Sequence, residues 1–292
     1  MLKYFSQPRV PPLPTTLDLS GKVALVTGSN RTLGYATSQH LIRHGLSKLV
    51  MGVRSVKAGE EARQTLLDDA AKRGQSPLPE ITVRAIDMAS PKSVVSFVEG
   101  LQAEGILLNI VILNAGINQM RFTVSDETQF ESTFQVNYVS TVLLSVLLLP
   151  LLSSDDPDKP RQLCVVGSEA YERTIYKDKT PESIFTELND PAQYNMGRYN
   201  DTKYFLYLFL RRLASHRPVN EHNVQIITTC PGWVVTDLNR SAPWYLYWLL
   251  AAIIWSRARS IEDGSAIIAY AGAGLAGNKA HGEMFRHMVT EQ

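Results

Sequence analysis

The sequence predicts an α/β fold with one parallel β-sheet, doubly wound so that helices cover both faces. Two observations predict it. Short runs of β-branched and aliphatic residues alternate with longer segments of helical periodicity. Several of the short runs are apolar at every position, as expected for strands buried on both sides. No linker, repeat or low-complexity tract divides the chain, so we expect a single domain.

Six strands and at least four helices follow from these patterns. The predicted strands are 22–27, 48–53, 81–86, 109–113, 162–167 and 224–229, and the predicted helices include 35–45, 90–105, 129–149 and 199–215. Gly45 and Gly105 stand where a helix end favours a residue that tolerates a left-handed backbone.

The domain itself is expected to span residues 21–292. Residues 1–20 contain Pro11, Pro12 and Pro14, which forbid a helix, and are expected to form an extended arm. Two less regular segments, 169–198 and 237–263, each follow the carboxyl end of a predicted strand. Open α/β sheets bind ligands at this edge, so both segments are predicted to form the substrate site.

Composition and charge narrow the range of functions. The 292 residues carry a formal net charge of +1, which gives no basic field for a nucleic-acid partner. The two cysteines, Cys164 and Cys230, fall in apolar strand-like runs, which favours buried thiols over a disulfide and a reducing, cytoplasmic location. No metal site is predicted.

Two apolar segments, 141–152 and 244–255, are the candidates for a membrane span. Each is shorter than the ~20 residues that cross a bilayer, so neither is predicted to be transmembrane. The N-terminal residues also lack the charged head, apolar stretch and cleavage site of a secretory signal. Segment 141–152 is predicted to be a buried core helix.

The stretch TGSNRTLG, residues 27–34, links the first strand to the first helix. Backbone amides of such a loop, together with the helix N-terminus, bind anions such as a pyrophosphate. The spacing matches T-G-x-x-x-G-x-G at Thr27, Gly28 and Gly34, but Thr32 replaces the middle glycine. A β-branched residue at this position restricts the backbone and occupies space near a bound cofactor.

This loop resembles that of the short-chain dehydrogenase/reductase family, whose Rossmann-type fold binds a nicotinamide dinucleotide. The resemblance implies cofactor contacts along the whole loop, including Asn30 and Leu33. At the end of the second strand, Arg54 stands where an NAD enzyme would carry a carboxylate, and no carboxylate follows until Glu60. Arg54 and Arg31 together favour the 2′-phosphate of NADP(H), although either one alone could be a solvated surface arginine.

Two further motifs extend the resemblance to the third and fourth strands. It implies that Asp87, followed by Met88, holds the adenine amino group. It also implies that the turn Asn114, Ala115 and Gly116 lets the adenosine approach the backbone. From the residues alone, Asp87 could instead be a helix N-cap, a role that Ser90 could fill as well.

The segment YNDTK, residues 199–203, is the strongest single indication of catalysis. Tyr199 and Lys203 are four residues apart, so on a helix they lie on one face. A nearby ammonium stabilises a phenolate, and we expect it to lower the pKa of the tyrosine. The resemblance implies that Tyr199 is the general acid/base and that Lys203 also holds the nicotinamide ribose.

Two polar residues would complete the catalytic group. Ser168 directly follows the fifth strand, where its hydroxyl could bind a substrate carbonyl oxygen, although serine is common at strand ends. Asn137 lies in an apolar helical pattern, a costly placement unless its amide is hydrogen-bonded. The resemblance implies that it holds the water of a proton relay, and the alternative is a bond to a neighbouring carbonyl.

The resemblance ends after the sixth strand, at CPGWVVT. Pro231 and Gly232 resemble the family's turn beneath the nicotinamide, with Val234 alongside. Thr236 would bind the carboxamide or the phosphates. All major motifs thus occur in family order between residues 21 and 236.

The sequence therefore predicts an NADPH-dependent carbonyl reductase, or the reverse alcohol dehydrogenase. Segment 244–255 suits a large hydrophobic substrate, polycyclic or polyketide-like. The same residues would suit a homo-oligomer interface or peripheral contact with a membrane surface, and these readings stay open. The layout is similar to fungal secondary-metabolism reductases and to retinol dehydrogenase-like proteins. A non-redox isomerase or cyclase on the same fold is the alternative, encouraged only by Thr32.

Overall fold

A single sheet runs through the computed structural model, which describes residues 7–152, 159–178, 181–234, 236, 238 and 258–290. Its eight strands have the order β3-β2-β1-β4-β5-β6-β7-β8, and all neighbouring pairs are parallel except β7 and β8. The strands are β1 Val23–Thr27, β2 Lys48–Val53, β3 Glu80–Ala85, β4 Ile110–Leu113, β5 Arg161–Val166, β6 Val224–Cys230, β7 Met284–Arg286 and β8 Val289–Thr290. This confirms the doubly wound fold and all six predicted strands.

The helices pack on both faces of the sheet. They are α1 Thr32–Arg43, α2 Val56–Lys72, α3 Pro91–Ala103, α4 Ser132–Phe134, α5 Thr141–Leu148, α6 Pro181–Leu188, α7 Arg198–Ser215, α8 Val219–His222 and α9 Ile261–Gly272. Buried residues of α1, α2 and α9 form the core on one face. Those of α3, α5 and α7 form the core on the other.

The strand order reverses at β1, because the chain moves outward through β2 and β3 and then returns to β4 on the other side. The carboxyl ends of β1 and β4 therefore diverge into a crevice, the usual ligand site of an open α/β sheet. Loops after β1, β4, β5 and β6 all open at this edge.

The helix expected at 129–149 is present but irregular. It begins at Ser132, passes through a π-helical turn at Gln135–Ser140, and continues as α5. The whole run, Ser132–Leu152, is long and apolar enough to cross a bilayer, yet most of it is buried within the protein. Burial of this kind is what a core helix shows, and the N-terminal turns make it longer than the apolar segment alone.

The N-terminal arm and the last two strands, β7 and β8, have sequence patterns that are less informative than those of the central sheet. Residues 7–20 contain neither helix nor strand, and their division from the domain stays a prediction. Strands β7 and β8 were not predicted, because Met284–Arg286 and Val289–Thr290 are too short for periodicity to distinguish them. Gly45 and Gly105 have φ angles of +85° and +64°, as expected at helix ends.

Candidate active site

The loop after β1 packs tightly against the end of β4. The side-chain amide of Asn114 donates to the carbonyl oxygens of Thr27 at 3.0 Å and Gly28 at 3.4 Å. The buried Thr27 hydroxyl accepts from the backbone amides of Asn114 and Ala115. A Cβ on Gly34 would lie 2.3 Å from the Gly28 oxygen, so only glycine lets the first turn of α1 come this close.

Thr32 has a φ of +45°, a left-handed conformation that β-branched residues rarely adopt. Thr32 thus stands where the family pattern has glycine, and its backbone has a conformation that favours glycine. The preceding residue, Arg31, occupies the N-cap of α1 but makes no side-chain capping bond, and the first turn of α1 contains no acidic residue. The positive end of this helix is thus suited to an anion.

The two arginines expected at a 2′-phosphate are both exposed. Arg54 directly follows β2, and Arg31 lies in the loop after the neighbouring strand β1. The residue after Arg54, Ser55, caps α2 by accepting from the amide of Ala58 at 3.4 Å. No carboxylate stands at the end of β2 to meet ribose hydroxyls.

Asp87 is not the N-cap of the following helix, because Ser90 fills that role and accepts from the amide of Ser93 at 3.1 Å. The Asp87 carboxylate instead accepts from the amide of Ala89 at 2.9 Å, and the backbone amide of Asp87 donates to the Ser93 hydroxyl at 2.9 Å. Its carboxylate keeps further acceptor capacity at the edge of the crevice. The side chain of Met88 is buried in the core.

Asn137 lies in the π-helical turn and is 1% exposed. Its side chain pairs with the backbone of Ile117, accepting from the amide at 2.9 Å and donating to the carbonyl at 2.8 Å. It also donates to the Thr202 hydroxyl at 3.2 Å. These bonds satisfy the buried amide and fix the loop that carries Gly116, whose Cβ position lies 3.2 Å from the Asn137 Oδ1.

Ser168, Tyr199 and Lys203 come together beside this loop. Ser168 follows β5, and its hydroxyl, which accepts from the amide of Ala170 at 3.2 Å, lies close enough to the Tyr199 phenol to affect its pKa. The Lys203 ammonium donates to the Val166 carbonyl oxygen at 2.8 Å and lies 5.6 Å from the centre of the Tyr199 ring. The predicted shared face of the helix, now α7, therefore brings the phenol, the ammonium and the serine hydroxyl into one cleft.

Burial shifts the pKa values of Tyr199 and Lys203 in the directions that favour the neutral side chains. It raises the pKa of the Tyr199 phenol, and the Ser168 hydrogen bond only partly opposes this. It lowers the pKa of Lys203 to about 8. The expectation that Lys203 lowers the tyrosine pKa is therefore wrong here, because loss of hydration raises it, and the effect that opposes this comes from the Ser168 hydroxyl.

The loop after β6 forms the other wall of the crevice. Gly232 has a φ of +79°, and its amide donates to the Cys230 sulfur at 3.4 Å. A Cβ on Gly264 of α9 would come within 2.6 Å of Val234 and 3.1 Å of Leu33. Leu33 and Val234 thus both pack against α9 at Gly264, so this helix contacts the loop after β1 and the loop after β6. Thr236 accepts from the amide of Leu238 at 3.4 Å.

Sequence reasoning missed two residues of this site. Thr202 bonds Asn137 and also donates to the Tyr199 carbonyl at 2.8 Å, so it joins the two helices. The sequence carried no distinct signal for it, because Thr202 stands in a polar run between Asp201 and Lys203. Cys230 accepts from the amides of Glu169 at 3.2 Å and Gly232, linking the loops after β5 and β6. No local pattern marks that contact.

The remaining site predictions are partly outside the described residues. Segment 244–255, the proposed apolar wall, lies wholly outside them, as do most of 237–263 and the pair 179–180 in the segment 169–198. Across the residues that the structure does describe, no cluster of three or more His, Cys, Asp or Glu side chains could hold a metal ion.

Known proteins match this chain along most of its length. The family model for short chain dehydrogenases matches residues 22–163. A short chain dehydrogenase of Arthrobotrys oligospora is 34% identical over 283 residues, covering 95% of this chain and 86% of the relative. The short chain dehydrogenase yanD of Aspergillus niger is 36% identical over 290 residues, covering 97% and 86% respectively.

Solved structures share the fold at lower identity. The RhlG/NADP complex of Pseudomonas aeruginosa has a TM-score of 0.65 at 21% identity, with 92% of this chain and 96% of that chain covered. A 3-oxoacyl-[acyl-carrier protein] reductase from Brucella melitensis, in complex with NAD, has a TM-score of 0.63 at 20% identity, with 91% and 95% covered. One of these two neighbours holds NADP and the other NAD, so the fold does not distinguish between the two dinucleotides.

Proposed function

Because this chain belongs to the short-chain dehydrogenase family, we propose that it is an NADP(H)-dependent oxidoreductase that reduces a carbonyl group on a hydrophobic substrate. The observation that carries the proposal is that the Ser168 hydroxyl lies beside the Tyr199 phenol, with the Lys203 ammonium 5.6 Å from the centre of the phenol ring. These three groups lie beside the loop after β4 at the carboxyl edge of the sheet, where a Cβ on Gly116 would be 3.9 Å from the Lys203 Nζ. The reverse reaction, oxidation of the alcohol, would use the same groups.

The described residues fit a dinucleotide. Gly34 leaves room for the loop to fold closely onto Gly28, and the N-terminus of α1 has neither a side-chain cap nor an acidic first turn. The N-terminus of a helix attracts phosphate by its partial positive charge and its free amides. We assign the pyrophosphate to this loop, the adenine to Asp87, and the nicotinamide side to Pro231, Gly232 and Thr236.

Selectivity for NADP(H) over NAD(H) rests on Arg54 and Arg31. Both are exposed at the carboxyl ends of neighbouring strands, where the ribose of the adenosine half would lie. An arginine fork binds a phosphate through paired, charge-assisted hydrogen bonds, whereas the two ribose hydroxyls of NAD favour a carboxylate. Bound NADP(H) would supply the hydride.

The chain's own residues handle the proton. Because burial raises the pKa of the Tyr199 phenol, the hydroxyl is protonated at neutral pH, the state that a general acid needs. Tyr199 would protonate the substrate oxygen, and Ser168 would hold that oxygen through its hydroxyl. Lys203 keeps most of its charge at pH 7, since its pKa is about 8, and it would support the developing charge. Asn137, in the π-helical turn, and Thr202 are hydrogen-bonded to each other. They would support the relay that returns a proton to Tyr199.

The test is NADPH oxidation by the full-length chain with a panel of hydrophobic ketones, polycyclic ones included, with direct measurement of NADPH and NADH binding. We expect NADPH to bind more tightly than NADH and to be oxidised with at least one ketone. NADPH binding without oxidation of any carbonyl, combined with isomerisation or cyclisation of a substrate, would favour the non-redox alternative. Absence of binding of either dinucleotide would refute the proposal.

A further inference from the structure

The loop Pro231–Trp233, which follows β6, is held by residues from three distant parts of the chain. These are the N-terminal arm, the residues that precede α9, and the hairpin turn between β7 and β8. The catalytic chemistry proposed above does not use any of the three. Each makes hydrogen bonds to the loop or to a residue that binds it.

The arm contributes Gln7. Its side-chain amide donates to the Trp233 carbonyl at 3.0 Å and accepts from the Trp233 amide at 2.9 Å. One side chain thus satisfies both backbone groups of a loop residue, as a neighbouring strand would. A Cβ on Gly232 would lie 2.2 Å from the Gln7 Oε1, so the glycine leaves the space that this side chain fills.

Arg259 joins the arm to the same loop. It is 8% exposed. Its guanidinium donates to the carbonyl oxygens of Pro8 at 2.9 Å and Pro231 at 3.4 Å. Its backbone amide donates to the Trp233 carbonyl at 2.8 Å, beside a parallel bridge between Val234 and Arg259. A guanidinium has a rigid planar arrangement of donors, so it fixes the relative positions of the groups that it binds.

The hairpin contributes His287, whose Nδ1 lies 2.7 Å from the Arg259 guanidinium. His287 and Met288 form the two-residue turn between β7 and β8, with φ angles of +56° and +60°. Such a turn favours glycine or asparagine at both positions, and other residues adopt it only where their surroundings hold them there. The contact with Arg259 is one such constraint.

We propose that Gln7 and Arg259 are positioning residues, which hold loop Pro231–Trp233 in the shape that receives the nicotinamide end of the cofactor. The inference rests on the proposed function, because that function assigns this loop to the nicotinamide. The loop adjoins the catalytic group through Cys230, whose sulfur accepts from the Gly232 amide. A loop fixed in advance binds its ligand without the entropy cost of ordering, so loss of the clamp weakens cofactor binding more than it slows the proton transfer at Tyr199.

The test compares Gln7→Ala, Gln7→Glu and the wild-type chain, all full length. Gln102→Ala is the matched control, because Gln102 is an exposed glutamine on α3. The measurements are NADPH affinity by fluorescence titration, the KM for NADPH and kcat, the midpoint of thermal unfolding, and hydrogen exchange at the Trp233 amide. Arg259→Lys keeps the charge but loses the planar donors, and serves as the second test of the clamp.

For Gln7→Ala we expect the dissociation constant and KM for NADPH to rise about tenfold, which corresponds to the loss of one or two net hydrogen bonds. The kcat at saturating NADPH should stay within about twofold, and exchange at Trp233 should accelerate. Gln7→Glu can accept from the Trp233 amide but cannot donate to the Trp233 carbonyl. The NADPH affinity of this variant should therefore fall between those of wild type and Gln7→Ala. Arg259→Lys should raise the same KM.

Unchanged NADPH affinity in Gln7→Ala would overturn the inference, as would an equal loss in Gln102→Ala. A loss of kcat equal to the change in KM would point to a general structural defect and would also overturn it. Failure of the wild-type chain to bind either dinucleotide would refute the proposed function and the cofactor part of this inference. Faster exchange at Trp233 in Gln7→Ala would then still support the clamp itself, so the two failures are distinguishable.

Discussion

The Lys203 ammonium lies 5.6 Å from the centre of the Tyr199 ring, on the same face of α7 and at the base of the same cleft. Its bond to the Val166 carbonyl oxygen anchors it to the end of β5, the strand that Ser168 follows. One helix and one strand therefore fix the relative positions of all three groups. Substituting Ser168, Tyr199 or Lys203 should therefore change catalysis or stability in a way that depends on the contacts of that residue.

Replacing Tyr199 by phenylalanine should lower kcat for carbonyl reduction by about 10²- to 10⁴-fold, the range associated with loss of a general acid. The ring stays in place, so NADPH affinity should change less than about twofold. Tyr204→Phe is the matched control, because Tyr204 lies on the same helix, five residues after Tyr199, and its ring packs against Phe205. Steady-state kinetics and NADPH titration measure both effects, and full activity in Tyr199→Phe would contradict the mechanism.

Lys203 should make stability depend on pH in alkaline solution. Its pKa is about 8 in the folded protein and about 10.4 in an unfolded chain. Between these values the unfolded chain holds a proton that the folded protein has released, so the free energy of unfolding rises with pH. Relative to Lys203→Met, wild type should gain on the order of 2–3 kcal/mol from pH 8 to pH 10 in urea titrations. Parallel pH dependences for the two proteins would contradict this.

Two glycines should respond to alanine in opposite directions. Gly34→Ala introduces a Cβ 2.3 Å from the Gly28 oxygen and 2.6 Å from the Asn114 amide nitrogen. It should lower the free energy of unfolding by about 1–3 kcal/mol and weaken NADPH binding. Gly100→Ala on α3 has open space, with its nearest atom 4.0 Å away. It should raise the free energy of unfolding by about 0.5–1 kcal/mol, because alanine favours the helix. Denaturant unfolding of both variants checks the contrast.

Replacing Thr32 by glycine should relieve the strain of its +45° φ. A left-handed conformation costs a non-glycine residue about 1–2 kcal/mol, and the greater chain entropy of glycine offsets part of the gain. We therefore expect a net rise of about 0.5–1 kcal/mol in the free energy of unfolding, together with tighter NADPH binding. Equal or weaker binding in Thr32→Gly would show that the threonine side chain itself contributes to the cofactor site.

Removing Arg54 should lower the preference for NADPH over NADH. A charge-assisted hydrogen bond contributes about 1.5–3 kcal/mol, so Arg54→Ala should reduce the ratio of kcat/KM values by about 10- to 100-fold. Arg73→Ala is the control, because Arg73 is an exposed arginine at the far end of α2. Kinetics with both dinucleotides give the ratio, and an unchanged ratio in Arg54→Ala would assign the preference elsewhere.

The sheet was predictable from the sequence because its strands are continuous apolar runs whose boundaries carry turn residues. The predicted strand at 224–229 is observed at Val224–Cys230, one residue longer. The shared face of Tyr199 and Lys203 followed from their spacing alone. The π-helical turn around Asn137 was not predictable, since its residues also fit a regular α-helix.

Long-range and electrostatic features needed the structure. Gln7 and Trp233 are 226 residues apart in the sequence, and no local pattern connects them. The rise in the Tyr199 pKa is caused by burial in the folded protein, whereas the sequence spacing reveals only the neighbouring Lys203. The role of Ser90 as N-cap, which the sequence left equal with Asp87, required the backbone geometry of the turn.

The positions of the two cysteines have a practical consequence. Cys164 in β5 and Cys230 at the end of β6 are free thiols buried in adjacent strands. A thiol-specific label reaches Cys164 only when the central strands separate, and it reaches Cys230 when the loops after β5 and β6 move away from its sulfur, so the two labelling rates report these two opening events. Labelling rates measured with and without NADPH would therefore show whether a bound dinucleotide slows either opening event.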